Sequence, residues 1–429
     1  MMSAVEFLKP IIVLAVIALA GCGGPTPSKV PQAPSTPPSA PGHATDEART
    51  TQGRRDAAST SPSSAGPAAS ADAPGTLHLL GEAIAPGTSR RLIWSSGQSF
   101  DDTSGDSPVL VVNGVGQGPT LCLTAAVHGD ELNGIEIVRR VMQDLDPRRV
   151  KGAVVGIPIV NLQGFRRGSR YLPDRRDLNR YFPGNPAGSS ASRIAASLFD
   201  GIIRHCDGLV DIHTGSLSRT NIPQLRADLR KPRVRAFADG IGALMVLHSA
   251  GTPGTLRRAA TDAGIPAVTL EAGEPGRLQS SQVREGTAAI VWLLDAMQIV
   301  NRVNVLKAPR PVYYRSTWVR SDYGGILFSL ARLGQLVSAG DILGTVTDPI
   351  TNEQFLIYAP VNGRIVGMAL NQVVMPGFAT FHLGIEGNTD NHGSLHATLE
   401  PPPRPLTPDD SAADPTGTTA SPEVDERPE

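Results

Sequence analysis

Through the middle of the chain, short apolar blocks alternate with stretches whose apolar residues recur every three or four positions. Residues 121–127, 153–160, 209–212 and 267–270 are compact apolar runs bounded by Gly, Pro or polar residues, and each predicts a strand. Between them, Ile135, Val138, Met142 and Leu145 mark one face of a helix, as do Ile194, Leu198 and Ile202. A last helix is predicted over residues 283–300. Strand and helix in alternation predict an α/β fold: a mainly parallel or mixed sheet flanked by helices.

After about residue 311 the pattern shortens. Residues 336–344 and 359–366 are brief β runs with Gly and Asp turns, which predict a small C-terminal all-β domain similar to a barrel-sandwich. Domains of that kind can carry a cofactor on a hairpin lysine, but the corresponding turn reads Val361-Asn362-Gly363-Arg364, so no swinging arm is expected.

The two ends differ from this middle. Residues 11–20 are an apolar run of ten residues, too short for a permanent membrane-spanning helix, and they read as a signal peptide. The run ends in Leu19-Ala20-Gly21-Cys22, which resembles a bacterial lipobox and makes Cys22 the expected lipidation site. Ten prolines fall between Pro25 and Pro74 and eight between Pro401 and Glu429, among small and polar residues that cannot bury enough surface to fold. The expected organisation is therefore a leader over 1–22, a tether over 23–75, a catalytic domain over 76–305, a β domain over 306–390 and a tail over 391–429. A lipid-anchored protein of the bacterial cell envelope, facing the periplasm, is the expected location.

Of the 429 residues 18% are charged, and the formal net charge is −1, which gives no basic field for nucleic acid. Besides Cys22 there are only Cys122 and Cys206. An oxidising envelope permits a disulfide between them, but two small buried thiols are the expected state, because free cysteine is among the most buried side chains.

Chemistry concentrates at the ends of the predicted strands. Val127-His128-Gly129-Asp130-Glu131 follows the first strand and Asp211-Ile212-His213-Thr214 includes the end of the third. Two histidines and a carboxylate are zinc ligands, and three protein ligands leave a position open for water, as catalytic zinc sites do. Gly129 is expected to let the backbone turn so that His128 and Glu131 face one ion. Leu270-Glu271-Ala272-Gly273 follows a further strand, and ligands of open α/β sheets gather at such carboxyl ends. Asp177-Leu178-Asn179-Arg180-Tyr181-Phe182-Pro183-Gly184 adds a guanidinium and an amide, which suit a carboxylate.

These motifs together resemble the succinylglutamate desuccinylase and aspartoacylase family, a branch of the zinc carboxypeptidase-like hydrolases, from about residue 79 to about residue 384. The resemblance implies that His128, Glu131 and His213 hold one zinc ion, that Glu271 is the catalytic glutamate, and that Asn179 and Arg180 hold a substrate carboxylate. It also makes Arg170 the group that polarises the scissile carbonyl. Glu274 is the rival to Glu271, whose strand-end position favours it. Asp211 lies two residues before His213, on the same face of a strand, and is expected to orient His213, to orient His128 or to cap a loop. His205 and His248 read as structural or surface residues. Six arginines between Arg166 and Arg180, against two aspartates, predict a positive funnel for an anionic substrate.

The implied activity is a zinc-dependent amidohydrolase that removes the acyl group from an N-acyl amino acid or similar small carboxylate. Two alternatives remain open at this point: a zinc carboxypeptidase acting on peptides or peptidoglycan stems, and a non-catalytic binding protein on the same fold. The envelope location favours the carboxypeptidase, whereas the complete set of ligands and base argues against the binding protein.

Overall fold

The computed structural model describes residues 75–95, 106–242, 244–301 and 311–385. The leader, Cys22, the tether up to residue 74 and the tail from residue 391 lie outside the described residues.

Four parallel strands form the centre of a mixed sheet in the order Lys151–Ile157, Gly116–Ala125, Gly208–His213, Ala267–Gly273. Each overlaps one of the predicted runs, with boundaries shifted by a few residues. Antiparallel strands extend this centre on both sides. Asp106–Asn113 and Thr88–Ser95 continue it beyond Lys151–Ile157. On the other side Ala267–Gly273 pairs with Arg219–Ala227, followed by Gly363–Ala369, Ala379–Ile385 and Arg315–Arg320. Strands from the C-terminal β region therefore hydrogen-bond directly into the central sheet.

Helices cover both faces because the central strands are apolar on both. On one face Asn133–Gln143, Pro232–Gly240 and Ser280–Ala296 pack Ile137, Phe237 and Ile290 against Leu121, Leu123 and Leu270. On the other, Ser190–Gly201 and Leu256–Asp262 pack Leu198, Phe199 and Ala260 against Cys122, Val155 and Leu209. Ser189 caps the helix Ser190–Gly201 by accepting from the Ser192 N–H, and Thr255 caps Leu256–Asp262 through the Arg258 N–H.

A second sheet of four short strands, in the order Gln354–Tyr358, Ile342–Thr347, Gly325–Ser329, Val373–Val374, encloses a separate small core with the end of the large one. Leu327, Val346, Phe381 and Leu383 fill it.

Cys122 and Cys206 form a disulfide, with Cα atoms 5.8 Å apart. This corrects the expectation of two free thiols. Both are buried as anticipated, but Cys206 immediately precedes the strand Gly208–His213, whose Leu209 lies beside Cys122 in the sheet. That pairing brings the two side chains within bonding reach, and the bridge joins the strands that lead to His128 and His213.

Candidate active site

The parallel strands end at one edge, and the chain makes its site there. After Ala125 the backbone enters the left-handed region at Ala126, with φ of 47°. The turn itself follows over Gly129 and Asp130, as expected. Gly129 serves another need: a Cβ there would collide with the backbone of Gly164 and Phe165. The Glu131 N–H then bonds to the His128 carbonyl, and the helix Asn133–Gln143 begins two residues later.

His128, Glu131 and His213 converge, all nearly fully buried. Nδ1 of His128 lies 2.8 Å from Oε1 of Glu131, Nδ1 of His213 lies 2.9 Å from Oε2, and the two Nδ1 atoms are 3.2 Å apart. The Thr214 N–H also donates to Oε2. Each imidazole turns its other nitrogen to a carboxylate. Nε2 of His213 is 2.8 Å from Oδ2 of Asp211, and Nε2 of His128 is 3.1 Å from Oδ1 of Asp177. Asp211 is itself fixed by the Thr124 hydroxyl at 2.7 Å, from the neighbouring strand. Of the roles open to Asp211, orienting His213 is the one adopted.

This donor set fits a divalent cation. An N–H directed at a carboxylate fixes each histidine with its Nδ1 lone pair facing inward, the arrangement usual for metal-ligating histidines. Two imidazole nitrogens and a carboxylate suit zinc and leave coordination sites for water or substrate.

Charge is unusually dense for so buried a place. Burial and the Arg170 charge press the His128 pKa down, but Glu131 and Asp177 outweigh them and hold it above its ordinary value. For His213, burial is likewise overcome, chiefly by Asp211 and Glu131. Burial pushes Glu131 and Asp177 up, yet the facing histidines, joined at Asp177 by Arg170 and Arg180, drive both well below the usual carboxylate range.

A cavity of about 870 Å³ opens over this cluster. Arg170 stands on its wall, with one guanidinium nitrogen 3.2 Å from Oε1 of Glu131 and another 3.0 Å from Oδ2 of Asp177. Arg180 also lines it, a third exposed and 3.9 Å from Asp177. Asn179 does not. Its side chain is fully buried, its Oδ1 accepts from the Leu256 N–H at 2.8 Å, and so it fixes the start of a helix instead of facing the cavity. Of the expected Asn179–Arg180 pair, only Arg180 lines the cavity.

Only Arg170 and Arg180 of the six clustered arginines line the cavity; Arg166, Arg167, Arg175 and Arg176 are exposed. Two further guanidiniums come from elsewhere. Arg219 and Arg226 both lie on the strand Arg219–Ala227, together with Asn221, and all three line the cavity. With Glu131 and Asp177 as the acidic lining residues, the wall carries four arginines against two carboxylates. Trp318 and the loop Ser249–Pro253 close the far side.

Glu271 sits beside His213 in the parallel pairing and is buried. Its Oε2 accepts from Nδ2 of Asn221 at 2.9 Å, and Arg226 lies 3.1 Å from Oε1 as an ion pair. Burial raises its pKa most, opposed by Arg226 and His213 and reinforced by Glu131, and the net direction is upward. Glu274 is bound at 2.8 Å to Arg277. Neither carboxylate lines the cavity itself, but Glu271 is held by Asn221 and Arg226, which do. His248 accepts from the Leu229 N–H, a structural role as expected.

No motif marked Asn221, Arg219, Arg226 or Trp318, and Asp177 was legible only as part of Asp177-Leu178-Asn179-Arg180. The available signal was the set of polar residues Arg219, Thr220, Asn221, Gln224 and Arg226 within one largely buried strand.

Comparisons with known proteins agree with this architecture. Residues 117–297 match the model of the Succinylglutamate desuccinylase/Aspartoacylase catalytic domain. The chain is similar to an N-alpha-acetyl-L-2,4-diaminobutyric acid deacetylase of Halomonas elongata, 28% identical over 56% of this chain and 74% of the relative. It also resembles a succinylglutamate desuccinylase of Burkholderia orbicola, 32% identical over 36% of this chain and half of that protein. Among solved structures, a succinylglutamate desuccinylase/aspartoacylase from Rhodobacter sphaeroides superposes with a TM-score of 0.63 at 25% identity, covering 70% of this chain and 96% of the other. The product-bound ectoine utilization protein of Ruegeria pomeroyi shares the fold, with a TM-score of 0.64 at 23% identity over 70% of this chain and 95% of its own. Over residues 117–297 the chain is thus similar to the succinylglutamate desuccinylase/aspartoacylase catalytic domain, and its fold is that of a solved succinylglutamate desuccinylase/aspartoacylase.

Proposed function

We propose that the protein is a zinc-dependent amidohydrolase that releases the acyl group of a small N-acyl amino acid as a free carboxylic acid. The observation that carries this is the joined set of His128, Glu131 and His213, each histidine backed by an aspartate, next to a buried carboxyl at Glu271. The two curated relatives are named as deacylases of this kind of substrate, which supports the same class here.

His128 and His213 through Nδ1, with Glu131, would hold the ion. Zinc bound there supplies Lewis acidity, which acidifies water and polarises a carbonyl. The chain's own groups do the rest. Glu271 takes a proton from the attacking water and returns it to the leaving nitrogen, and a carboxyl held above its ordinary pKa is suited to both transfers. Arg170 presents a guanidinium at the cavity wall, where it steadies the oxyanion of the tetrahedral intermediate. Arg180 offers a further cation, partly exposed, to the substrate carboxylate. The arginine excess on the wall favours an anionic substrate in general.

The disulfide supports an oxidising compartment, in keeping with the lipobox-like Leu19-Ala20-Gly21-Cys22 and an envelope location on a lipid anchor. Incubation with N-acetyl and N-succinyl amino acids, before and after chelation, tests the metal reading. Acid release is expected to vanish with chelator and return with zinc; release indifferent to chelation contradicts it.

A further inference from the structure

Asn221 and Arg226 both reach Glu271, although they are five residues apart on one strand. In a regular strand an odd spacing puts two side chains on opposite faces. Here the pairing with Ala267–Gly273 is irregular: Glu271 faces Gln224, but Gly273, two residues on, faces Asn221, three residues back. The extra residue, next to Pro223, is a bulge that returns Asn221 to the face of Arg226. Asn221, Arg226 and Glu271 are all buried, so the contact is made away from bulk solvent.

The far side of Asn221 is shaped by the C-terminal β region. Gly367, on the strand Gly363–Ala369, lies directly opposite Asn221 in the sheet. A Cβ at position 367 would fall onto Oδ1 of Asn221, with no other comparably close contact. Gly367 has no left-handed φ, so backbone conformation does not require glycine there; the space taken by the Asn221 amide does.

From this we infer that Asn221 is a positioning residue for Glu271, and that Gly367 of the C-terminal β region is part of the same device by leaving room for it. The inference rests on the reading of Glu271 as the proton carrier. The amide donates to one carboxylate oxygen, Arg226 restrains the other, and the carboxyl is left with one orientation. The β region then does more than wall the cavity: it sets the geometry of a group on the opposite side of the Arg219–Ala227 strand.

A double-mutant cycle on the zinc-loaded full chain tests this, using whichever N-acyl amino acid the wild type hydrolyses. Asn221→Ala is expected to lower kcat about tenfold or more with KM little changed, since proton transfer and not binding is impaired. Gly367→Ala should do the same by displacing the amide. In the Asn221→Ala background Gly367→Ala should cost nothing further, because the group it displaces is gone. Equal losses in both backgrounds, or a raised KM at unchanged kcat, overturn the inference. Asn221→Ser, which removes the amide and clears the space that a Cβ at 367 would enter, carries the same cycle if the alanine variant fails to fold. Crystal structures of Asn221→Ala and Gly367→Ala report independently of turnover. A shifted Glu271 carboxylate supports positioning, and an unmoved one overturns it. Glu271→Gln separates the two ideas: turnover in that variant defeats the proton-carrier reading, whereas an inactive variant beside an unmoved carboxylate defeats only the positioning role.

Discussion

The parallel centre of the sheet and its antiparallel flank do different work. At the centre, Gly116–Ala125 and Gly208–His213 lead directly to His128 and His213, and the carboxylates Asp177 and Asp211 fix the rings. In the flank, Arg219–Ala227 contributes Arg219, Asn221 and Arg226 to the cavity wall from within a strand, and Gly363–Ala369 supports it from behind. The centre makes a candidate metal site out of strand ends; the flank makes a wall out of a strand face. Strand ends are open positions that tolerate charge, whereas a buried strand face accepts polar residues only when each finds a partner.

The sharpest way to break this comparison is to remove chemistry at the central carboxyl that the flank holds. Glu271→Gln should lower kcat by about 10²- to 10⁴-fold while zinc content, read by metal analysis, is unchanged. Next in size is Asp177→Asn, which leaves Nε2 of His128 without its carboxylate. Zinc affinity, measured by competition with a chelator, should fall about 10- to 100-fold, and Asp211→Asn should do the same through His213. If these losses were absent, the rings would be held by packing alone.

The disulfide ties the two ligand-bearing strands together through a loop of 84 residues. Replacing both cysteines by alanine should cost about 2–5 kcal/mol in denaturant unfolding, with kcat nearly unchanged in the folded protein. A loss of activity without loss of stability would instead tie the bridge to the metal edge. In the cavity loop, Arg180→Ala should raise KM by about tenfold, the worth of roughly one charged hydrogen bond, with a smaller effect on kcat. The smallest effect is expected from salt: kcat/KM should fall with ionic strength as the arginine-rich wall is screened.

The centre was legible in the sequence and the flank was not, for a physical reason. His128, Glu131, His213 and Glu271 stand in or next to short apolar runs, so period and punctuation locate them one strand at a time. Asp211 shares the face of His213 by simple alternation. The partners of Asn221 and Arg226 depend on a bulge and on a strand that lies more than 130 residues further along, which no local pattern reveals. Asn179 shows the converse: its place in a recognisable motif suggested contact with substrate, while its burial against the Leu256 N–H makes it a brace for the cavity loop. The free-thiol expectation for Cys122 and Cys206 failed in the same way, since their closeness arises only from the pairing of two strands.

The central claim is that this edge hydrolyses the acyl–nitrogen bond of a small carboxylate. Mass-resolved products from the zinc-loaded full chain, offered N-acetyl-L-2,4-diaminobutyrate, N-succinyl-L-glutamate and unblocked dipeptides side by side, test it most directly. The account predicts free acetate or succinate together with the free amino acid, and intact dipeptides; release of C-terminal amino acids from the dipeptides with both acylated compounds untouched would contradict it.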